Sequence, residues 1–197
     1  MNFSISNMMY FQRDLKFGKI LFLFYHIINI MVNTNTFTPQ QKLMHDLRHY
    51  PVRPHVGVGG IIRWNHYIVL VKRKFNPNKG KWAIPGGHLK LGERAADGAL
   101  RECEEETNLK LEVGGLASVI DKIDIDENGK VEYHYVLCDY WMKIIENSDS
   151  DIFSKLSPQS DAEEARFVPI DELSGYDLTP TVRKLFENLN ILPKANL

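Results

Sequence analysis

From Thr38 onward the apolar positions recur with a regular period, and the period names the element. Thr38, Pro39 and Gln41 occupy the N-cap, N1 and N3 positions of a capping box, and Leu43, Met44, Leu47 and Tyr50 follow at helical spacing. This predicts a short helix over 39–49, ended by Pro51 and Pro54. Two β-rich runs, His55 to Trp64 and His66 to Arg73, then read as adjacent strands joined by a tight turn at Asn65. The stretch FNPNKGK at 75–81 is a loop by its Asn, Pro and Gly content. Trp82, Ala83 and Ile84 read as a strand that turns into a loop at Pro85-Gly86-Gly87.

A helix is predicted from Glu93 or Arg94 to Thr107, because Ala96, Ala99, Leu100, Cys103 and Thr107 form one small, apolar side able to dock on a sheet. Beyond it, a run from Leu109 to Asp126 meets another from Lys130 to Ile144 across Asn128-Gly129, a strong hairpin signal. In the second run Val131, Tyr133, Tyr135 and Leu137 alternate with Glu132, His134, Val136 and Cys138, as strand residues do. Residues 146–161 are polar and irregular. A last strand around Ala165 to Val168 leads through Pro169 to an amphipathic helix after Thr179-Pro180, with Val182, Leu185, Phe186 and Leu189 on one face. The order of elements predicts an α/β class, with two or three helices packed on a mixed sheet as an α/β/α sandwich.

Composition narrows the function classes. With 24 Lys and Arg against 25 Asp and Glu in 197 residues, the chain has no broad basic field to hold long nucleic acid, so a nucleotide would be gripped locally or through a metal. Cys103 and Cys138 form neither a disulfide framework nor a spaced ligand set, which fits a reducing, cytoplasmic location. One segment leaves targeting open. Ile20 to Val32 is apolar and follows Arg13, Lys16 and Lys19 in the manner of a signal peptide, but no small-residue cleavage site follows. As a helix it would reach only about 20 Å, short of a hydrocarbon core of about 30 Å. It reads as a targeting or membrane-surface segment, an added helix, or sequence upstream of a start at Met31 or Met44. Any membrane contact is expected through residues 20–32 alone.

Within the predicted 93–107 helix, Glu102, Glu105 and Glu106 share a second face, an arc of about 100° beside the buried side. Three carboxylates so placed repel one another unless positive charge sits among them. A hard divalent cation such as Mg²⁺ is the natural compensation, since it takes a few carboxylates together with waters and substrate phosphates. On spacing alone the ordinary reading is a solvated acidic face. The glycines shift that balance, because Gly86 and Gly87 permit close approach of backbone to a ligand just before this helix.

Taken together, Gly87, Glu93, Arg101, Glu102, Cys103, Glu105, Glu106, Asn108 and Leu109 resemble the signature of the Nudix hydrolase family, G-x5-E-x7-R-E-U-x-E-E-x-G-U, where U is a bulky aliphatic residue. Two positions depart from it. Cys103 stands where an aliphatic residue is usual, and Asn108 replaces the last glycine, a left-handed position for which Asn is the next-best residue. The resemblance in element order spans roughly His55 to Leu189, which assigns 37–197 to a Nudix domain and leaves 1–36 as an N-terminal extension. It implies Glu102, Glu105 and Glu106 as metal ligands, with Glu105 or Glu106 also serving or orienting the base for water. It implies a charge pair between Glu93 and Arg101 that braces the loop on the helix, and backbone of Gly86 and Gly87 near the metal and the phosphates. The implied cofactor is Mg²⁺, with Mn²⁺ as substitute. The implied chemistry is hydrolysis of the diphosphate linkage in a nucleoside diphosphate joined to another group. Members of the family are often homodimers.

Further substrate-binding candidates are His88, beside Gly87; Arg73, on a predicted strand; and Glu163, in the stretch SDAEEAR at 160–166, expected as a loop carrying an acidic helper among Asp161, Glu163 and Glu164. The segments YHYVLCDYWM and SDAEEARFVPIDEL resemble the branch labelled ADP-ribose pyrophosphatases. The proline that marks that branch about sixteen residues after the signature is Ile125 here, which keeps hydrolysis of oxidised or ordinary nucleoside triphosphates as the alternative. A non-catalytic nucleotide-sensing module on the same fold is the second alternative.

Overall fold

The structure is a computed structural model and describes residues 48–76, 78–145 and 152–193. The predicted 39–49 helix falls almost wholly outside these residues, as does the apolar 20–32 segment. The described residues belong to one compact unit that begins at Arg48.

Seven strands form a mixed sheet: β1 (His55–Trp64), β2 (Tyr67–Arg73), β3 (Trp82–Ala83), β4 (Gly86–His88), β5 (Leu111–Ile125), β6 (Val131–Ile144) and β7 (Ala162–Pro169). Strand β1 is the pivot. It runs parallel to β6 over His55–Ile62 and antiparallel to β4 over Gly57–Gly59, then pairs with β2 only at Arg63 and Trp64. Strand β2 continues the sheet antiparallel to β3 and β7, while β5 closes the other side against β6. Both predicted hairpins are present: Asn65 takes a left-handed φ of 52° between β1 and β2, and Gly129 one of 77° between β5 and β6.

Alternation along the strands feeds two cores, one on each face. Val58, Ile62 and Val69 pack with Ala99 and Cys103 of helix α1 (Ala95–Thr107), together with Leu109, Met142 and Ile152. Ile61, Ile68 and Leu70 pack on the opposite face against Val182, Leu185 and Phe186 of helix α3 (Pro180–Asn188). Thr179 caps α3 by accepting the Val182 N–H, with Pro180 at the first helical position. The helix–sheet–helix layering is the predicted α/β/α sandwich.

Three details differ from the sequence reading. Pro85-Gly86-Gly87 is not a bare turn, because Gly86–His88 is strand β4, held at the edge of β1. The stretch at 160–166 is a loop only to Asp161; from Ala162 it is strand β7, because it can pair with the whole of β2. In the polar 146–161 segment, Ile152 opens a short helix α2 (Ile152–Lys155) and is buried at 1% exposure, anchoring that stretch to the α1 core.

Helix α1 ends as expected at Asn108, left-handed at φ 59°, whose N–H returns to the Glu104 carbonyl. A side chain without Asn's tolerance for this conformation is disfavoured there. Asn108→Ala is expected to destabilise the protein by about 1 kcal/mol, and Asn108→Gly to be neutral or better. A chemical-denaturation midpoint for each checks this.

Candidate active site

The site is built where the second half of α1, from Arg101 to Glu106, passes β4. Arg101 is its organising cation. Its Nε donates to Glu93 Oε1 at 2.8 Å and its Nη2 to Glu93 Oε2 at 3.0 Å, a two-point fork. The remaining donors reach Glu102 at 2.7 Å, Glu105 at 3.3 Å and the His88 carbonyl at 3.3 Å. Glu93 also accepts the Lys90 N–H at 3.1 Å, so loop and helix are tied at one carboxylate. The Arg101 bonds hold the Glu93 carboxyl down at about 2, and Arg101 itself is pushed further above its ordinary value. Lysine cannot reproduce that fork. Arg101→Lys is expected to lower kcat about 10- to 100-fold with little change in substrate KM, measured by steady-state hydrolysis kinetics.

The three acidic side chains sit in different surroundings. Glu105 is exposed, Glu102 is half-buried, and Glu106 retains 6% exposure. Glu106 Oε2 accepts the Gly86 N–H at 3.0 Å. Burial pushes its carboxyl up to about 8; the Gly86 bond opposes this, and the charges of Glu102 and Asp161 add to it. Burial also raises Glu102, against the pull of Arg101. The paired glycines therefore serve close approach. Gly86 and Gly87 are not left-handed, but a Cβ on Gly86 would meet the Val58 carbonyl oxygen at 2.5 Å, and one on Gly87 would meet the Glu102 carboxyl carbon at 2.5 Å.

His88 continues from these glycines. Its ring accepts Arg48 Nη1 at 3.0 Å, and burial, reinforced by Arg48, His55 and Arg73, lowers it to about 4, leaving a neutral imidazole at neutral pH. Arg73 ends β2 close enough to act electrostatically on both His88 and Glu106, so the structure brings it to the site. Glu163 is exposed on β7, with no described bond into the cluster. The acidic residue that acts on Glu106 from this side is Asp161, at the last loop position before the strand. Arg48, inside the predicted 39–49 helix, is not among the candidate site residues read from the sequence, since nothing in the local pattern points to its pairing with His88, 40 residues on.

The donor set fits a hard divalent cation, because its atoms are carboxylate oxygens and the excess negative charge is concentrated where burial raises Glu102 and Glu106. Among the described residues no three acidic or imidazole groups already converge on one point. Arg101 spans Glu93, Glu102 and Glu105, while Glu106 is turned to Gly86.

A NUDIX domain model matches residues 53–189, which contain every one of these residues except Arg48. The chain belongs to the Nudix family. An ADP-ribose pyrophosphatase of Methanocaldococcus jannaschii is 35% identical over 130 residues, 65% of this chain and 70% of that protein. A putative mutator protein MutT4 of Mycobacterium tuberculosis is 33% identical over 111 residues, 54% of this chain and 40% of its own length. Among solved structures, a MutT Nudix hydrolase from Burkholderia pseudomallei aligns with a TM-score of 0.57 at 30% identity, covering 68% of this chain and 97% of that one. The Nudix fold and a pyrophosphohydrolase activity follow from this membership, and a divalent metal is general to Nudix hydrolases. No helix among the described residues is long and apolar enough to cross a membrane.

Proposed function

We propose that this Nudix protein hydrolyses the diphosphate linkage of ADP-ribose or a closely related nucleotide derivative, with Mg²⁺ bound by Glu102, Glu105 and Glu106. The observation that carries the reading is the Arg101 fork, which fixes the loop of Glu93 to the helix that carries Glu102, Glu105 and Glu106, the last of them bonded to the Gly86 N–H. The similarity to an ADP-ribose pyrophosphatase supports the substrate class. Bound there, the metal would neutralise charge on the bridging oxygens and make water a better nucleophile.

The chain's own groups divide the remaining work. Glu106 has one oxygen engaged by Gly86, and its other oxygen is assigned to take a proton from the attacking water. Glu105, exposed on the same helix face, accepts from Arg101 at 3.3 Å. Gly87 would let backbone come close to a phosphate, and His88 and Arg73, which act electrostatically on one another, are assigned as further substrate contacts. Glu163 is kept as a peripheral substrate contact from β7. Water adds to one phosphorus, the bond from that phosphorus to the bridging oxygen breaks, and a nucleoside monophosphate leaves with a phosphorylated remainder. A cytoplasmic, homodimeric protein whose Nudix domain spans 37–197, after an N-terminal extension over 1–36, is part of the same reading, with any membrane contact confined to residues 20–32.

Ile125, in place of the branch's proline, favours a second reading, pyrophosphohydrolysis of oxidised or ordinary nucleoside triphosphates, and the MutT4 similarity points the same way. A Mg²⁺-dependent panel of ADP-ribose, nucleotide sugars, dinucleoside polyphosphates and oxidised dNTPs, compared by kcat/KM with products identified, separates the two. Preference for ADP-ribose is expected, and preference for triphosphates would replace the first reading with the second. Glu105→Gln is expected to abolish turnover on the preferred substrate without unfolding the protein; unchanged activity in it would sink the ligand assignment.

A further inference from the structure

The three residues before β1, Arg48 to Tyr50, form a strap pinned to the tip of the β5–β6 hairpin. The Tyr50 N–H donates to the Glu132 carbonyl at 2.9 Å, and the Tyr50 hydroxyl donates to Asp126 Oδ2 at 2.9 Å. Lys130 lies over the Tyr50 ring at 4.2 Å, while His49 meets Glu132 Oε1 at 3.2 Å and the Tyr133 ring at a centre-to-centre 5.3 Å. Tyr50 itself is left-handed at φ 51°, a conformation that an aromatic residue keeps only where its surroundings hold it. The strap sets the Arg48 guanidinium against His88, with Nη1 3.0 Å from Nε2 and 3.4 Å from Nδ1.

A guanidinium can only donate, so the ring nitrogen that meets it is an unprotonated acceptor and the imidazole is uncharged. The positive charge of this corner therefore belongs to the arginines. Arg73 acts on the same ring from the end of β2, and both arginines act on Tyr135, whose ring centre lies 5.9 Å from that of His88. The corner adjoins the carboxylate cluster directly: a Cβ on Gly87 would meet Glu102, and the side chain of the next residue meets Arg48. It is also open, since Arg48, Arg73, Gly86, Gly87 and His88 all keep partial exposure. Arg48 lies outside the residues matched by the NUDIX domain model, so membership of the family does not assign it.

We propose that Arg48 is a substrate-binding residue that, together with Arg73, takes a phosphate of the diphosphate by its non-bridging oxygens. This rests on the nucleoside-diphosphate reading above and adds to it a group that holds the anion from outside the carboxylate cluster. Both phosphates of a diphosphate carry negative charge, which the carboxylates repel. A guanidinium offers phosphate oxygens parallel donors and a fixed charge. The pinned strap holds it in place before the substrate arrives, which lowers the ordering cost of binding.

The test measures calorimetric binding of inorganic diphosphate to the full chain, with Mg²⁺ and with EDTA, and steady-state hydrolysis of ADP-ribose, in wild type, Arg48→Ala and Arg48→Lys. Arg48→Ala is expected to weaken diphosphate binding and to raise the KM for ADP-ribose by about 10- to 100-fold, the scale of hydrogen bonds to a charged group, with kcat within about threefold. Arg48→Lys, which keeps the charge without the fork, is expected to recover part of the loss. Diphosphate affinity is expected to fall less steeply with salt in Arg48→Ala than in wild type, an effect that a merely structural role for the strap does not produce. Equal diphosphate binding in wild type and Arg48→Ala, or a loss of kcat at unchanged KM, overturns the inference. Arginine side-chain ¹⁵N signals of wild type, followed as diphosphate is added, need no variant to fold: a shift of the Arg48 signal supports the assignment, and an unmoved signal overturns it. Failure to hydrolyse ADP-ribose counts against the proposed reaction, while diphosphate binding still decides the role of Arg48.

Discussion

Glu106→Gln is expected to lower kcat by about 10²–10⁴-fold and, at the same time, to raise the melting temperature of the metal-free protein at pH 8. The two effects share one cause. Glu106 is nearly buried, its Oε2 engages the Gly86 N–H, and burial raises its carboxyl to about 8. Because the folded value lies above the unfolded one of 4.5, the native protein binds more protons between those limits. Stability of the metal-free protein therefore falls as pH rises from about 4.5 to about 8. Asp139 contributes the same sign from 3.8 to about 6, and His88 the opposite sign from about 4 to 6.5, so the part that belongs to Glu106 is the difference in slope between wild type and Glu106→Gln across pH 6 to 8. Glutamine keeps the size and an acceptor for Gly86 but carries no charge and takes no proton. Urea midpoints at pH 6 and 8, with kcat measured alongside, check both halves. A variant that keeps wild-type turnover, or the wild-type slope of stability across that interval, contradicts the role given to this carboxyl.

Gly86→Ala is expected to cost about 3 kcal/mol and to abolish turnover. The added methyl would fall 2.5 Å from the Val58 carbonyl oxygen and 2.7 Å from the Gly59 Cα, both backbone atoms that no rotamer change can move aside. Strand β4 would have to lift from β1, and the Gly86 N–H would leave Glu106. Gly175→Ala is the control, since a Cβ there meets nothing within 4 Å and the backbone is not left-handed. It is expected to stay within about 0.5 kcal/mol of wild type. Thermal and urea unfolding of the two variants give the comparison.

Local periodicity made the scaffold legible. The α1 stripe from Ala96 to Thr107, the Asn128-Gly129 hairpin and the Thr179-Pro180 helix start all depend on near neighbours in the chain, and each appears where predicted. The Glu93–Arg101 brace was legible for a related reason, since eight residues separate the partners and the resemblance assigns both. Long-range pairing was not. Gly86–His88 becomes a strand because β1 offers it an edge, and Glu163 stands on a strand because β2 runs opposite. Neither partner is visible in the local pattern. The Arg48 contact with His88 joins residues 40 apart and is of the same kind.

The most direct test of the account is hydrolysis of ADP-ribose by the full chain in ¹⁸O-labelled water, with Mg²⁺ and with EDTA, and both products identified by mass. The expected result is Mg²⁺-dependent release of AMP and ribose 5-phosphate in equal amounts, with one ¹⁸O atom in one of the two. Absence of turnover with both Mg²⁺ and Mn²⁺, under conditions where the protein is folded, would contradict it.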